Sequence, residues 1–310
     1  MQKAILPRVL AVVCALELGF GAGCGAAQSD ATAPEAPATT TASEAAVDWW
    51  TEKAPCRPGT KLVGAAPPEG LGIHCERNDG TKHGPFTEFH ASGQKKTETS
   101  YRDGKLEGRY QTWHEGGQVA EEARYRGGAL QGRRQTRHAN GQKASEGEFS
   151  TGREIGQHTS FSDTGTKLSQ ADYREGKLHG THREFHPSGK PKQETEYRSG
   201  MRHGAIVAYH ANGKKEREGR YLEDKKHGAW TFWREDGSKV EASELAAGER
   251  QGKVTRWHAN GVRELEGQFV AGKKDGKWVY FEAEEGQPIR EEYYKADKKL
   301  RTVKLTVKKK

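Results

Sequence analysis

Aromatic side chains return along this chain at a fixed interval of 24 residues. One series runs Phe89, Trp113, Phe161, Phe185, Tyr209, Trp233, Trp257 and Phe281, broken only by Arg137. A second runs Tyr101, Tyr125, Phe149, Tyr173, Tyr197, Tyr221, Phe269 and Tyr293, broken only by Leu245. Between the rings the residues are mostly polar. Before each ring of the second series the pattern alternates, with Glu98 and Ser100 on one side and Thr99 and Tyr101 on the other. That alternation is the signature of a half-buried strand. The position of Thr99 is held by small residues in later units (Ala123, Gly147, Ala171, Thr195, Gly219, Ser243, Gly267). A small residue two places before a ring leaves space for a neighbouring ring to lie across the sheet.

Glycine keeps the same interval in three series: Gly84 to Gly276, Gly93 to Gly261, and Gly104 to Gly272 with Asp224 replacing one member. The last unit has gained a residue, because the expected 285 falls at Gly286. A unit such as PFTEFH-ASGQ-KKTETSY-RDGKLEG therefore divides into two strand-length runs, with the glycines at turns. Asn or Asp beside Gly, as in ANGQ, ANGK and RDGK, supplies hairpin turns at positive φ. No stretch has a useful helical period. The fold class expected is all-β: an elongated, single-layer antiparallel sheet of about nine tandem hairpins over residues 85–300.

These residues resemble the MORN repeat in its bacterial variant, most plainly in HANGKKEREGRYLEDKKHGAW, His210 to Trp230. The resemblance covers about residues 80–299 and implies a sheet of successive hairpins. It also departs from the family, which often has an aromatic where this chain has His90, His114, His138, His186, His210 and His258. The third and fourth units (Arg134, Arg137, His158) fit poorly, so a weak or bent ladder is expected there. Such an array needs caps. The segment 49–84 serves as the first, with ERNDGTKHG in phase as half a unit, and residues 277–300 as the last.

The composition changes this picture at the two ends. Only 32% of the 310 residues are hydrophobic and 30% are charged, too polar for a thick core. The net charge of +8 is concentrated at the C-terminus. Residues 295–310 hold eight Lys or Arg against one acid, Asp297, and the rest is near neutral. A nucleic-acid groove would spread its basic residues along the repeats, so no nucleic-acid partner is expected. The basic tail, 301–310, is read as a solvated end or as a contact to an acidic surface such as anionic lipid.

At the other end, Lys3 and Arg8 precede an apolar stretch, Val9–Leu16 and Leu18–Phe20, too short to span a bilayer. It reads as an export signal, 1–23. FGAGC, ending at Cys24, resembles the lipobox of bacterial lipoproteins, which implies acylation of Cys24 and a membrane contact through the lipid; cleavage near Ala27 would instead give a soluble secreted protein. Gly25 after the cysteine implies, by the same resemblance, the outer membrane. Residues 24–48, rich in Ala, Thr and Pro, read as a disordered tether. Cys14 lies in the signal, which leaves Cys56 and Cys75 as a disulfide in an exported chain. The alternative, a metal-binding pair, lacks further ligands.

Chemistry is sparse. The six in-phase histidines invite a metal-site reading, but equivalent positions lie two strands, about 9.5 Å, apart, and a shared ion needs its ligands about 2 Å away. His179, His182 and His186 straddle a turn or a strand. No nucleophile or phosphate-loop motif is present. The recurring Glu98, Glu122, Glu146, Glu194, Glu218 and Glu266 read as a solvated face with cross-strand partners. The expectation is a non-enzyme with no metal and no cofactor. Its repeating surface suits an extended protein or envelope-glycan partner. The MORN resemblance implies scaffolding or lipid contact. Because some bacterial members carry an antitoxin label, a toxin-neutralising role stands as the alternative.

Overall fold

The computed structural model describes residues 48–306. The expected signal, Cys14, Cys24 and most of the tether lie outside the described residues. The described part is one open antiparallel sheet of 24 strands in which each hairpin pairs with the next. An N-terminal hairpin, Thr60–Ala65 with Gly72–Arg77, pairs with Lys82–Phe89 and starts the array. The ladder continues without a break through the third and fourth units, where Lys143–Ser150 pairs on both sides. The described part of the basic end joins the sheet: Lys298–Lys304 is a strand paired with Pro288–Lys295, so order extends beyond the boundary expected at residue 300, and residues 307–310 lie outside the described residues.

Two turn types alternate. Between Arg198 and Met201, Ser199 (φ 53°) and Gly200 (φ 88°) both have positive φ, a type I′ turn whose twist matches that of the strands. The same two-residue turn recurs at Glu223–Asp224, Ala247–Gly248 and Ala271–Gly272. Alanine gains nothing from a left-handed conformation that costs an L-residue about 1–2 kcal/mol, whereas asparagine tolerates it. Ala247→Asn should therefore raise stability by about 0.5–1 kcal/mol, read as a higher urea midpoint with unchanged slope. The other turn is closed by the His90 N–H donating to the Gln94 carbonyl and the Gly93 N–H to the His90 carbonyl.

The Gly84 series does not make turns, contrary to the reading from spacing. Gly204 (φ 116°) lies inside strand Met201–Tyr209, at a bulge where Thr195 faces Ile206 but Tyr197 faces Arg202. The extra residues on one strand bend the ladder once per unit.

The two aromatic series separate onto opposite faces, because 89 and 101 differ in alternation once the pairing of Phe86 with Thr99 is set. On the face of Phe89, the N-terminal turn Trp49–Thr51 acts as a lid on the first unit. Trp49 Nε1 donates to Thr87 Oγ1 at 2.9 Å, and Trp50 meets Phe89 edge-on at 5.6 Å. The face of Tyr101 carries a third row not seen in the sequence: Phe86, Tyr110, Arg134, His158, His182, Ile206, Trp230, Val254 and Trp278. Its members include fully or almost fully buried side chains, Trp230, Val254 and Trp278. They alternate along the ladder with the small residues of the Thr99 series, as the facing pairs Ile206–Gly219, Trp230–Ser243 and Val254–Gly267 show. A Cβ on Gly219 would stand 2.3 Å from the Trp230 ring, and one on Gly267 at the same distance from Trp278. The space inferred for a neighbouring ring is thus filled by this row.

Phe269 meets Trp278 at 5.1 Å, but the next ring on that face is Tyr294 at 6.2 Å, not the expected Tyr293. The residue gained at Gly286 advances the register by one, and one step along a strand sends a side chain to the other face. Tyr293 accordingly lies under the Arg301 guanidinium and donates to Glu291.

Candidate functional site

The histidines are inter-repeat staples. His90 Nε2 lies 2.9 Å from the Trp113 carbonyl oxygen, and His114, His138, His186, His210 and His258 repeat the contact to Arg137, Phe161, Tyr209, Trp233 and Phe281 at 2.9–3.3 Å. A carbonyl only accepts, so each Nε2 carries the proton and donates. Arg234 holds the same place in its unit and donates to the Trp257 carbonyl at 2.8 Å. Among the described residues no group of three or more His, Cys, Asp or Glu could hold a metal ion. Removing one staple leaves a carbonyl without its donor, so His210→Ala should cost about 1 kcal/mol. His210→Arg should restore most of it, as Arg234 does naturally; chemical denaturation of the three proteins is the check.

The opposite turn column is also tied to its neighbour. The Gly200 N–H donates to the Leu178 carbonyl at 2.8 Å and Gly248 to Lys226 at 2.8 Å. Asp224, standing where other units have glycine, uses its N–H in the same way and binds Arg202 Nε through its carboxylate at 2.9 Å.

On the Phe89 face a cation from the preceding unit covers the rings of Phe161, Phe185, Trp233, Trp257 and Phe281. Lys143 stands 5.6 Å from the Phe161 centroid, Lys215 5.7 Å from Trp233 and Arg263 4.8 Å from Phe281. The same cations bind Glu146, Glu218 and Glu266, and Arg109 and Arg183 bind Glu122 and Glu194. The recurring glutamates therefore sit in ion pairs on a solvated surface, across strands for Glu122, Glu146 and Glu194 but only along their own strand for Glu98, Glu218 and Glu266, each contributing little by itself.

Cys56 and Cys75 form the expected disulfide, with Cα atoms 5.6 Å apart and Cys75 fully buried beside Gly84. At the other end, Glu292 occupies a small-residue position of the buried row. Burial alone would raise its carboxyl, but hydrogen bonds from Tyr294, Lys299 and Tyr280 overcome that and hold it at about 2. Burial and this carboxylate push the Tyr294 hydroxyl up. A depressed carboxyl stabilises the fold above its unfolded value, and the contribution fades as pH falls. Between pH 4.5 and 2 the wild type should lose stability more steeply than Glu292→Gln in thermal melts.

Shallow clefts lie between neighbouring strands. The one over the irregular units has a volume of about 230 Å³ and is lined by Arg134, Ser145, Gly147, His158, Ser160 and His182 among others.

Residues 82–103, 106–126 and 178–199 match the family model described as MORN repeat variant. Three of the hairpins thus carry the MORN repeat signature. No curated protein matches the chain. Among solved structures it is similar to TcdB2-TccC3 lacking the hypervariable C-terminal region, at 9% identity and a TM-score of 0.19 over 76% of this chain. It is also similar to the Photorhabdus luminescens Tc holotoxin pore, at 12% identity and a TM-score of 0.19 over 76% of this chain. The chain spans only 15% and 16% of those solved chains, and likenesses at such TM-scores carry no functional argument.

Proposed function

We propose that this chain is a non-enzymatic interaction scaffold of the cell envelope, exported and held through Cys24, that presents its MORN-like sheet to a protein or glycan. One observation carries the reading: a uniform frame bears non-uniform side chains. The turn columns repeat the same inter-unit hydrogen bonds. Along the Phe86 row of that frame, half-buried up to His182 and buried beyond it, the side chain nonetheless changes from Phe86 and Tyr110 through Arg134 and His158 to Ile206 and Trp230. A constant backbone spacing with variable decoration is how a repeat array builds an extended and selective surface. The six in-phase histidines are engaged in inter-unit hydrogen bonds and most of the recurring carboxylates in surface ion pairs, which favours binding over chemistry.

The test is capture of partners by the full chain in intact envelopes, compared with a chain lacking residues 85–276. A defined partner that disappears with the repeats supports the scaffold. Recovery of a toxin would favour the neutralising role instead. Flotation with anionic liposomes of a Cys24→Ala form separates both from direct lipid binding; the scaffold reading expects that form to stay unbound.

A further inference from the structure

The Phe86 row on the Tyr101 face is apolar at both ends and polar in its middle. Phe86 and Tyr110 lead into Arg134, His158 and His182, after which Ile206, Trp230, Val254 and Trp278 resume the apolar run. The facing pairs beside it include a charged side chain in the other units, as in Glu88–Thr97, Thr112–Glu121 and Glu184–Gln193, but carry hydroxyls alone here: Thr136 bonds Ser145 across strands at 2.7 Å, and Ser160 bonds Ser169 at 2.6 Å. The Tyr101 row, by contrast, keeps its rings there, and Phe149 and Tyr173 flank the His158 imidazole at 5.1 and 4.9 Å. The polar stretch of the Phe86 row, the uncharged hydroxyl pairs beside it and the rings of the Tyr101 row bound a cleft of about 230 Å³ with hydroxyls on one side and rings on the other.

We propose that this cleft binds a neutral sugar unit of a glycan, which deepens the scaffold reading and rests on it. The cation and the glutamate of the cleft's irregular units are already paired. Arg134 Nε donates to Glu121 Oε1 at 2.7 Å, and Glu146 is bound by Lys143 and Arg133. An anionic ligand would therefore find the lining guanidinium already engaged. Each hydroxyl pair uses one of its two O–H groups internally and keeps a second donor and spare lone pairs. Sugar hydroxyls, which both donate and accept, match that inventory. A sugar also has an apolar C–H face to set against Phe149 and Tyr173, which remain partly exposed. The volume lies below the range usual for drug-sized ligands and suits one compact unit of a longer chain.

The sheet supplies its own control. Gly147 stands against His158 as Gly219 stands against Trp230, each with a virtual Cβ close to the opposite ring. His158→Trp therefore fills the cleft with a pairing the fold already uses. Isothermal titration of the full chain with cellotetraose, maltotetraose and tetra-N-acetylchitotetraose is the experiment. At least one probe is expected to bind, and His158→Trp should weaken it tenfold or more while its thermal midpoint stays equal or rises. Ser160→Ala with Ser169→Ala should weaken the same probe, and serves as the second variant if His158→Trp does not fold. Absence of binding to all three probes at millimolar concentration overturns the proposal, as does unchanged binding in these variants. Envelope capture that needs residues 85–276 but persists after glycosidase treatment also overturns it, and assigns a protein partner while leaving the scaffold reading intact.

Discussion

Trp230→Ala is expected to lower stability by about 3–5 kcal/mol, the largest effect of any single side-chain truncation in the sheet. The indole is fully buried, which is unusual in a sheet formed of one layer. Its cover comes from four directions. Tyr221 meets it edge-on at 5.2 Å, Phe232 stacks at 6.1 Å, Lys226 lies over it at 4.4 Å, and Gly219 opens the floor beneath it. Its Nε1 donates to the Arg220 carbonyl at 3.2 Å, so truncation also removes the donor to that backbone group. Units of an array are held by their nearest neighbours, so the loss falls on one junction. Guanidinium unfolding followed by circular dichroism should change from one transition toward two. Gly219→Ala should cost about 1–3 kcal/mol by overpacking the same ring. The double variant should cost less than the two single losses combined, because the clash vanishes with the indole. Strict additivity would show that the glycine is needed for something other than the tryptophan.

Removal of the disulfide should have the second largest effect. Cys56 and Cys75 are 19 residues apart, and closing a loop of that length contributes about 3 kcal/mol in the chain-entropy model. The bond anchors the first strand of the sheet among the described residues, Thr60–Ala65, which among them pairs only with Gly72–Arg77. Cys56→Ser with Cys75→Ser should therefore lower the thermal midpoint and expose the N-terminal hairpin first. Hydrogen exchange would show early loss of protection at residues 60–77 while units distant from the cap keep theirs. Uniform loss across all nine units would contradict a local role for the bond.

The regular features were legible in the sequence because they recur. Period, strand alternation, two-residue turns, small-residue positions and the disulfide each follow from residue type at fixed spacing. The Phe86 row escaped that reading because its members share no chemistry; Phe, Arg, His, Ile, Val and Trp occupy equivalent places. The signal available was the opposite row of small residues, which marked a space without naming its occupant. The polar cleft was hidden for the same reason, since Arg134 and His158 read as poor matches to a repeat.

By itself the sequence determined an all-β array of 24-residue hairpins, the turns at the Gly93 and Gly104 series and which residues are small enough to be crossed by a ring. Only the tertiary structure decided which face each ring occupies, that Tyr294 replaces Tyr293, and that the Gly84 series bends strands instead of ending them. It also decided that the histidines hold the next unit. The physical reason is shared: the face a side chain takes depends on strand register and bulges, and a histidine's partner is a backbone carbonyl 23 residues away that no side-chain pattern reports.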